Sequence, residues 1–199
     1  PSNVKVRGQT VFGSEPVQPV VVDKAVMYVQ RQGKRIREMI FDGARYASND
    51  VTLLSEHVTK PGVTQLGYAA LPDPLLFAVT PDHLGMMTYD RDQSVLAWSR
   101  WTTDGVIESA CAIYGASGDE IWLVVRRTVG GSTVRYVERV TAETEDKTTC
   151  TLLDSHKTGT LTGPFSGSIS GLSHLEGRTV RLVVAGAVIG DFSVSGGAI

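Results

Sequence analysis

The sequence predicts an all-β protein: propeller-like or meander β-hairpin repeats over residues 25–143, a small β-barrel or sandwich over 144–199, and an N-terminal extension or linker over 1–24. Three observations predict it. Apolar runs are short and rich in Val, Ile, Thr, Tyr and Trp, which suit a pleated, half-buried surface. Gly, Asp and Pro punctuate them at close intervals, and no long amphipathic helix pattern occurs. Three segments also resemble one another: AVMYVQRQGKRIREMIFDG at 25–43, LLFAVTPDHLGMMTYDRD at 75–92 and EIWLVVRRTVGGSTVRYVERV at 120–140. Each runs an apolar strand into a Gly-bearing turn and back along a second strand. Their spacing of roughly 45 to 50 residues is a period of propeller blades and other β-repeats; an ordinary meander of hairpins is the alternative.

Taken in order, the first departure from strand is a helix expected over Asn49–Val58. Asn49 or Asp50 would cap it, Leu53, Leu54 and Val58 would form its apolar stripe, and Thr59-Lys60-Pro61-Gly62 would stop it. Further on, Trp98 and Trp101 stand three residues apart, which on a strand sends their rings to opposite faces. Trp98, Trp101 and Tyr114 are candidates to stack on a sugar or a partner protein. The structural alternative is that both tryptophans fill a β-core.

In the third hairpin, Gly130-Gly131 suits a two-residue turn between strands of natural twist. That turn pairs Trp122 with Arg139, Val124 with Val137 and Arg126 with Arg135. A guanidinium over an indole is favourable, whereas two facing arginines cost stability, so either the turn is longer than two residues or an acidic group from a neighbouring strand or subunit sits between them. Asp90, Asp92, Asp104 and Glu108 are the candidates. The polar run TAETEDKTTC at 141–150 then marks a domain change. Beyond it, LLDSHKTGTLTGPFSGSISG reads as short strands joined by tight turns, and RTVRLVVAGAVIGDFSV as two strands about Ala185-Gly186-Ala187.

Composition excludes several function classes. The 199 residues are 42% hydrophobic and 20% charged with a formal net charge of −2, an ordinary globular balance without the basic excess that holds phosphates. DNA meeting this protein is expected to slide past. Cys111 and Cys150 are too few for a disulfide scaffold and lack CxxC spacing, so free thiols in a reducing compartment are expected, with one long-range bridge as the alternative. No apolar run of the ~20 residues needed to span a bilayer occurs, and no secretion signal opens the chain. Synthesis in a cytoplasm is expected. The chain starts at Pro1, as a processed product or a piece of a longer protein would.

No catalytic constellation, cofactor site or metal site is expected. His57, His83, His156 and His174 lie too far apart for HxxxH or HExxH, and there is no GxSxG elbow, P-loop or GxGxxG after a strand. The run Asp90-Arg91-Asp92 reads as a solvated turn sooner than as a cation site. Cys111 has apolar sequence neighbours, a setting that does not activate a thiol.

The order VQRQGKRIREMIFD, SNDVTLLSEHVT, LLFAVTPDHLGMMTYDRDQSVLAWSRWTTDG, DEIWLVVRRTVGGSTVRYVERV, LLDS and GLSHLEGRTVRLVVAGAV, covering roughly residues 25 to 197, resembles the tail nozzle (tail tubular) family of short-tailed bacteriophages. Its most specific pieces are the hairpin bearing Trp122, Arg126, Gly130, Gly131, Arg135 and Arg139 and the turn His174-Leu175-Glu176-Gly177. The resemblance implies a non-enzymatic β-rich virion subunit, repeated as a ring at the end of a phage or prophage tail. It also implies partners among other tail proteins and copies of itself, with double-stranded DNA passing without tight binding. Such proteins are made in the bacterial host cytoplasm and work in the virion. Members of that family are typically longer, so a fragment, a degenerate prophage copy or a minimal domain is expected here. The alternative is a receptor-binding or glycan-binding module of a tail protein, directed at a host surface glycan.

Overall fold

The computed structural model describes residues 8–141, 155–161, 163 and 167–199. They are all-β, with antiparallel sheets laid down in chain order. The first sheet holds β1 (Val20–Val22), β2 (Ala25–Val29), β3 (Ile36–Phe41) and β4 (Tyr46–Asp50). A one-turn helix α1 (Glu56–Thr59) leads to the second sheet, β5 (Gln65–Ala69), β6 (Leu75–Val79), β7 (Leu84–Asp90) and β8 (Val95–Trp101). The third is β9 (Val106–Gly115), β10 (Gly118–Val129) and β11 (Ser132–Arg139), and a hairpin follows from β12 (Thr179–Val184) and β13 (Ala187–Ser193).

The three hairpins legible in the sequence are β2–β3, β6–β7 and β10–β11. In each case they are the second and third strands of a meander, so one sheet is built per sequence period. The first sheet begins inside the stretch expected to be an extension, because Val20–Val22 pairs with Ala25–Met27. Even before it, Ser14 bridges to Gln30, and the Phe12 ring lies 3.3 Å from the Arg37 guanidinium.

The second sheet is apolar on both faces, and this orders the stack. Along β6, Leu76 and Ala78 enter a core shared with the first sheet, while Phe77 and Val79 enter a core shared with the third. On β7, Met87 and Tyr89 take the first side, Leu84 and Met86 the second. A strand buried on both faces needs no polar alternation, which is why LLFAV is a continuous apolar run. Fully burying each such Leu, Met or Phe is worth about 1.5–3 kcal/mol.

At one edge the sheets converge, with β5 close to both β1 and β9. There the Gln65 side chain mimics a strand: its amide nitrogen donates to the Ala110 carbonyl at 2.7 Å, and its oxygen accepts from the Ala110 amide and the Ser109 hydroxyl, each at 3.1 Å. At the other edge, the buried Glu38 of β3 accepts from the Tyr89 hydroxyl at 2.6 Å and from Arg91 at 2.9 Å, tying the first sheet to the second. Burial pushes its carboxyl up, yet hydrogen bonds from Asn49, Tyr89 and Arg91 together hold it below the usual glutamate value.

The helix expected over Asn49–Val58 is not formed at that length. Tyr46–Asp50 is a strand and only Glu56–Thr59 is helical. Asp50 turns the chain instead of capping a helix, accepting from the Thr52 amide and hydroxyl while pairing with Arg35. Leu53 and Leu54 are exposed, and of the expected stripe Val58 alone is buried. C-terminal to residue 154, the described part of LLDSHKTGTLTGPFSGSISG forms a bridge at Ser170 to Ala198 and no strand. The polar run expected to mark a domain change lies outside the described residues from 142 on, as does Cys150. Among the described residues no helix is long and apolar enough to cross a membrane.

One close approach supports the second sheet. Gly67 pairs with Phe77, and a Cβ at Gly67 would sit 2.1 Å from the Phe77 ring. The ring fills the space that the glycine leaves. Gly67→Ala is expected to lose about 1–3 kcal/mol of stability by overpacking, read as a lower urea midpoint. An unchanged midpoint would mean that the ring has somewhere else to go.

Candidate interaction surface

The third sheet has one face in a core and one face open. Ile121 and Val125 of β10 are buried, so strand alternation sends Trp122, Val124 and Arg126 to the other side. The register of β10 with β11 is Trp122↔Arg139, Val124↔Val137 and Arg126↔Arg135, as the Gly130-Gly131 turn predicts. Both glycines have positive φ, +54° and +79°, the pair of values that a type I′ turn requires.

Glu108 stands between the two arginines. Its oxygens accept from Arg126 Nε at 2.9 Å and Arg135 Nε at 2.6 Å. A β-bulge makes this possible: Val124 pairs with Ser109, but Val125 pairs with Ile107, leaving Glu108 as the extra residue. Without that insertion Glu108 would point beside Val125 into the core, and Ile107 would point out. The Arg135 guanidinium, with Arg126 beside it, holds the Glu108 carboxyl below its ordinary range.

At the other end of the face, Glu120 accepts from both Arg139 at 2.7 Å and the Trp122 indole at 3.0 Å, with the Arg139 guanidinium 5.8 Å from the Trp122 ring. Between these two charged clusters Val124 faces Val137, which is 70% exposed, while Ile113, 47% exposed, lies opposite Glu120 at the far end of the face. Cys111 belongs to the same face and is exposed, contrary to the apolar setting its sequence neighbours suggest.

The remaining candidates lie elsewhere. Trp98 packs against the core between the first two sheets and donates its indole N–H to the Val51 carbonyl at 2.8 Å. Trp101 packs against the core between the second and third. Tyr114, at the end of β9, is 89% exposed. His174 meets the Tyr136 ring edge-on at 6.2 Å, beside a single 3-10 turn over Ser173–Leu175. Leu175 accepts from the Arg178 amide, and Glu176 accepts from the Gly196 and Gly197 amides, so this turn clamps the C-terminal loop. Gly177, at φ +75°, donates to the Val194 carbonyl. Arg178 then pairs with Asp104 and donates to the Thr128 carbonyl, joining the C-terminal hairpin to the third sheet.

Sequence reasoning passed over the Glu38, Asn49, Tyr89, Arg91 cluster, since its members come from two sheets and no local spacing links them. It lines a cleft between the first and second sheets. The carboxylate there is already met by donors from three side chains, which makes the cluster a joint. Asp90 closes the β7–β8 turn by accepting from the Gln93 amide, and no group of three acidic, His or Cys side chains suited to a metal occurs among the described residues. His83 is buried with one ring nitrogen against Asp82 and the other against the Val58 carbonyl. Comparison with known protein families and with curated proteins finds no match to this chain.

The Glu108 pairing has a pH signature. A carboxylate whose folded pKa is depressed stabilises the fold above its unfolded value, about 4.3 for Glu, and loses that contribution as pH falls through the folded value. Glu108→Gln is therefore expected to lower the urea midpoint at neutral pH, where it leaves Arg126 and Arg135 opposed. The difference from wild type should shrink as pH drops below about 4 and in high salt. Equal midpoints at neutral pH would mean that the bridge contributes nothing.

Proposed function

We propose that this chain is a structural subunit of a bacteriophage or prophage tail, of the nozzle class, whose copies line the path by which the genome leaves the particle. The observation that carries this reading is the series of antiparallel meander sheets, one per sequence period, stacked in chain order. A β-rich repeat of this kind is what the sequence resemblance calls for. The segments that carry the resemblance most specifically, the β10–β11 hairpin and the His174–Gly177 turn, are both structural joints. The three sheets read as blades of a propeller-type sector fanning from β1, β5 and β9, with the C-terminal residues belonging to a small barrel or sandwich. A net charge of −2 suits a wall that a polyanion passes without sticking, since tight binding would need a basic excess. The partners in this reading are copies of the chain and other tail proteins.

Peptide mass spectrometry on gradient-purified particles should find the polypeptide in stoichiometric amounts, and antibody against it should decorate the tail tip in electron micrographs. Particles that lack it while remaining infectious would sink the assignment. A second reading, a glycan-binding module, is favoured by the exposed Tyr114 ring alone, because Trp98 and Trp101 are half-buried against the cores. It calls for glycan-array binding that Tyr114→Ala abolishes; a wild-type protein that binds no glycan removes it.

A further inference from the structure

We infer that residues 8–12 form a lid on the outer face of the first sheet, hinged at Gly13 and latched by the Phe12 ring on the Arg37 guanidinium. The lid sets access to that guanidinium and to the edge of β4. The inference goes beyond the tail assignment and holds or fails without it.

The path of the segment follows from its contacts. Ser14 bridges to Gln30 at the end of β2, the Phe12 ring lies 3.3 Å from the Arg37 guanidinium on β3, and the Gln9 side-chain oxygen accepts from the Tyr46 amide of β4 at 3.2 Å. Residues 14 to 9 thus meet three successive strands of the first sheet. They cross it on its outer side, since Ile36 and Glu38 point inward and alternation turns Arg37 out. Where the chain leaves β2 stands Gly13 at φ +66°, a conformation that glycine adopts without strain.

The two sides of Gly13 are held differently. On its C-terminal side the attachment is backbone pairing: the Glu15 amide donates to the Val29 carbonyl at 2.9 Å, and the Gly13 carbonyl accepts from the Arg31 amide at 3.3 Å. On its N-terminal side Phe12 and Gln9 attach through side chains. None of residues 8–12 is buried, Val11 is 91% exposed, and neither core draws on them. Lifting them therefore exposes no core, and such a segment opens far below the free energy of unfolding the sheet.

Arg37 does not need the lid. Its Nε donates to the Gln30 side chain at 2.6 Å and its Nη1 to the Ser48 carbonyl at 3.1 Å, both within the first sheet and its turn. The guanidinium is thus a fixed seat on which an aromatic ring can close or from which it can lift. With the lid down Arg37 is 9% exposed, and a groove lined by residues 9–12 and Arg45–Ser48 runs beside it. With the lid up, the planar face of the guanidinium and the Tyr46 N–H meet solvent.

Hydrogen exchange followed by NMR tests this at three amides. Tyr46 donates to the lid, Arg31 to the hinge, and Gln30 to the Arg35 carbonyl inside the sheet. Phe12→Ala is expected to speed exchange at Tyr46 roughly 2- to 30-fold, the range set by loss of a cation–π contact, with Arg31 and Gln30 unchanged. Phe12→Trp is expected to keep Tyr46 protected, and Phe12→Leu to behave as the alanine variant does. Unchanged exchange at Tyr46 in Phe12→Ala overturns the latch, as does full protection in Phe12→Leu. Arg31 and Gln30 accelerating together with Tyr46 overturns the hinge, because the segment would then open only with the sheet.

Discussion

The second sheet has to be covered twice. Its middle strand carries Leu76 and Ala78 on one side and Phe77 and Val79 on the other, all essentially out of water. No single layer can satisfy such a strand, so a sheet must lie on each side, and the first and third sheets take those places. The inward faces of the other two sheets answer that requirement. The strands of the first sheet turn Met27 and Ile36 inward, the third turns Ile121 and Val125 inward, and the joints fall at the two edges of the stack.

Those joints are polar and use side chains where backbone pairing stops. Gln65 closes the edge of β9 with an amide side chain, and Glu38 collects donors from Asn49, Tyr89 and Arg91 across two sheets. A buried carboxylate is costly unless several donors meet it, and here they do. The same logic recurs on the open face, where Glu108 keeps Arg126 and Arg135 from repelling each other. A one-residue bulge puts it there.

The C-terminal hairpin is held differently. A two-stranded ribbon is marginal by itself, and β12–β13 is fixed through Arg178, Glu176 and His174 at its base instead of through a core. The sequence motif His174-Leu175-Glu176-Gly177 is thus an anchoring device, with the glycine supplying the positive φ and the glutamate accepting two backbone amides.

Much of this was legible in the sequence because the signals were local. Alternation and turn residues set out the strands and the three hairpins. Gly130-Gly131 set the β10–β11 register, and the facing arginines that follow from it left a choice between a longer turn and an intervening acid. Which of four acids it was could not be read, because the answer depends on a bulge in a strand more than a dozen residues away. The helix expected at Asn49 failed for a related reason: Asp50 has the chemistry of a cap, but Arg35 from a neighbouring part of the sheet and Thr52 claim its oxygens. Composition, the three hairpins and the β10–β11 register belong to the sequence by itself. The order of the stack, the partners of Glu38 and Glu108, and the faces left open belong to the tertiary structure, because each depends on which distant strands come to lie against one another.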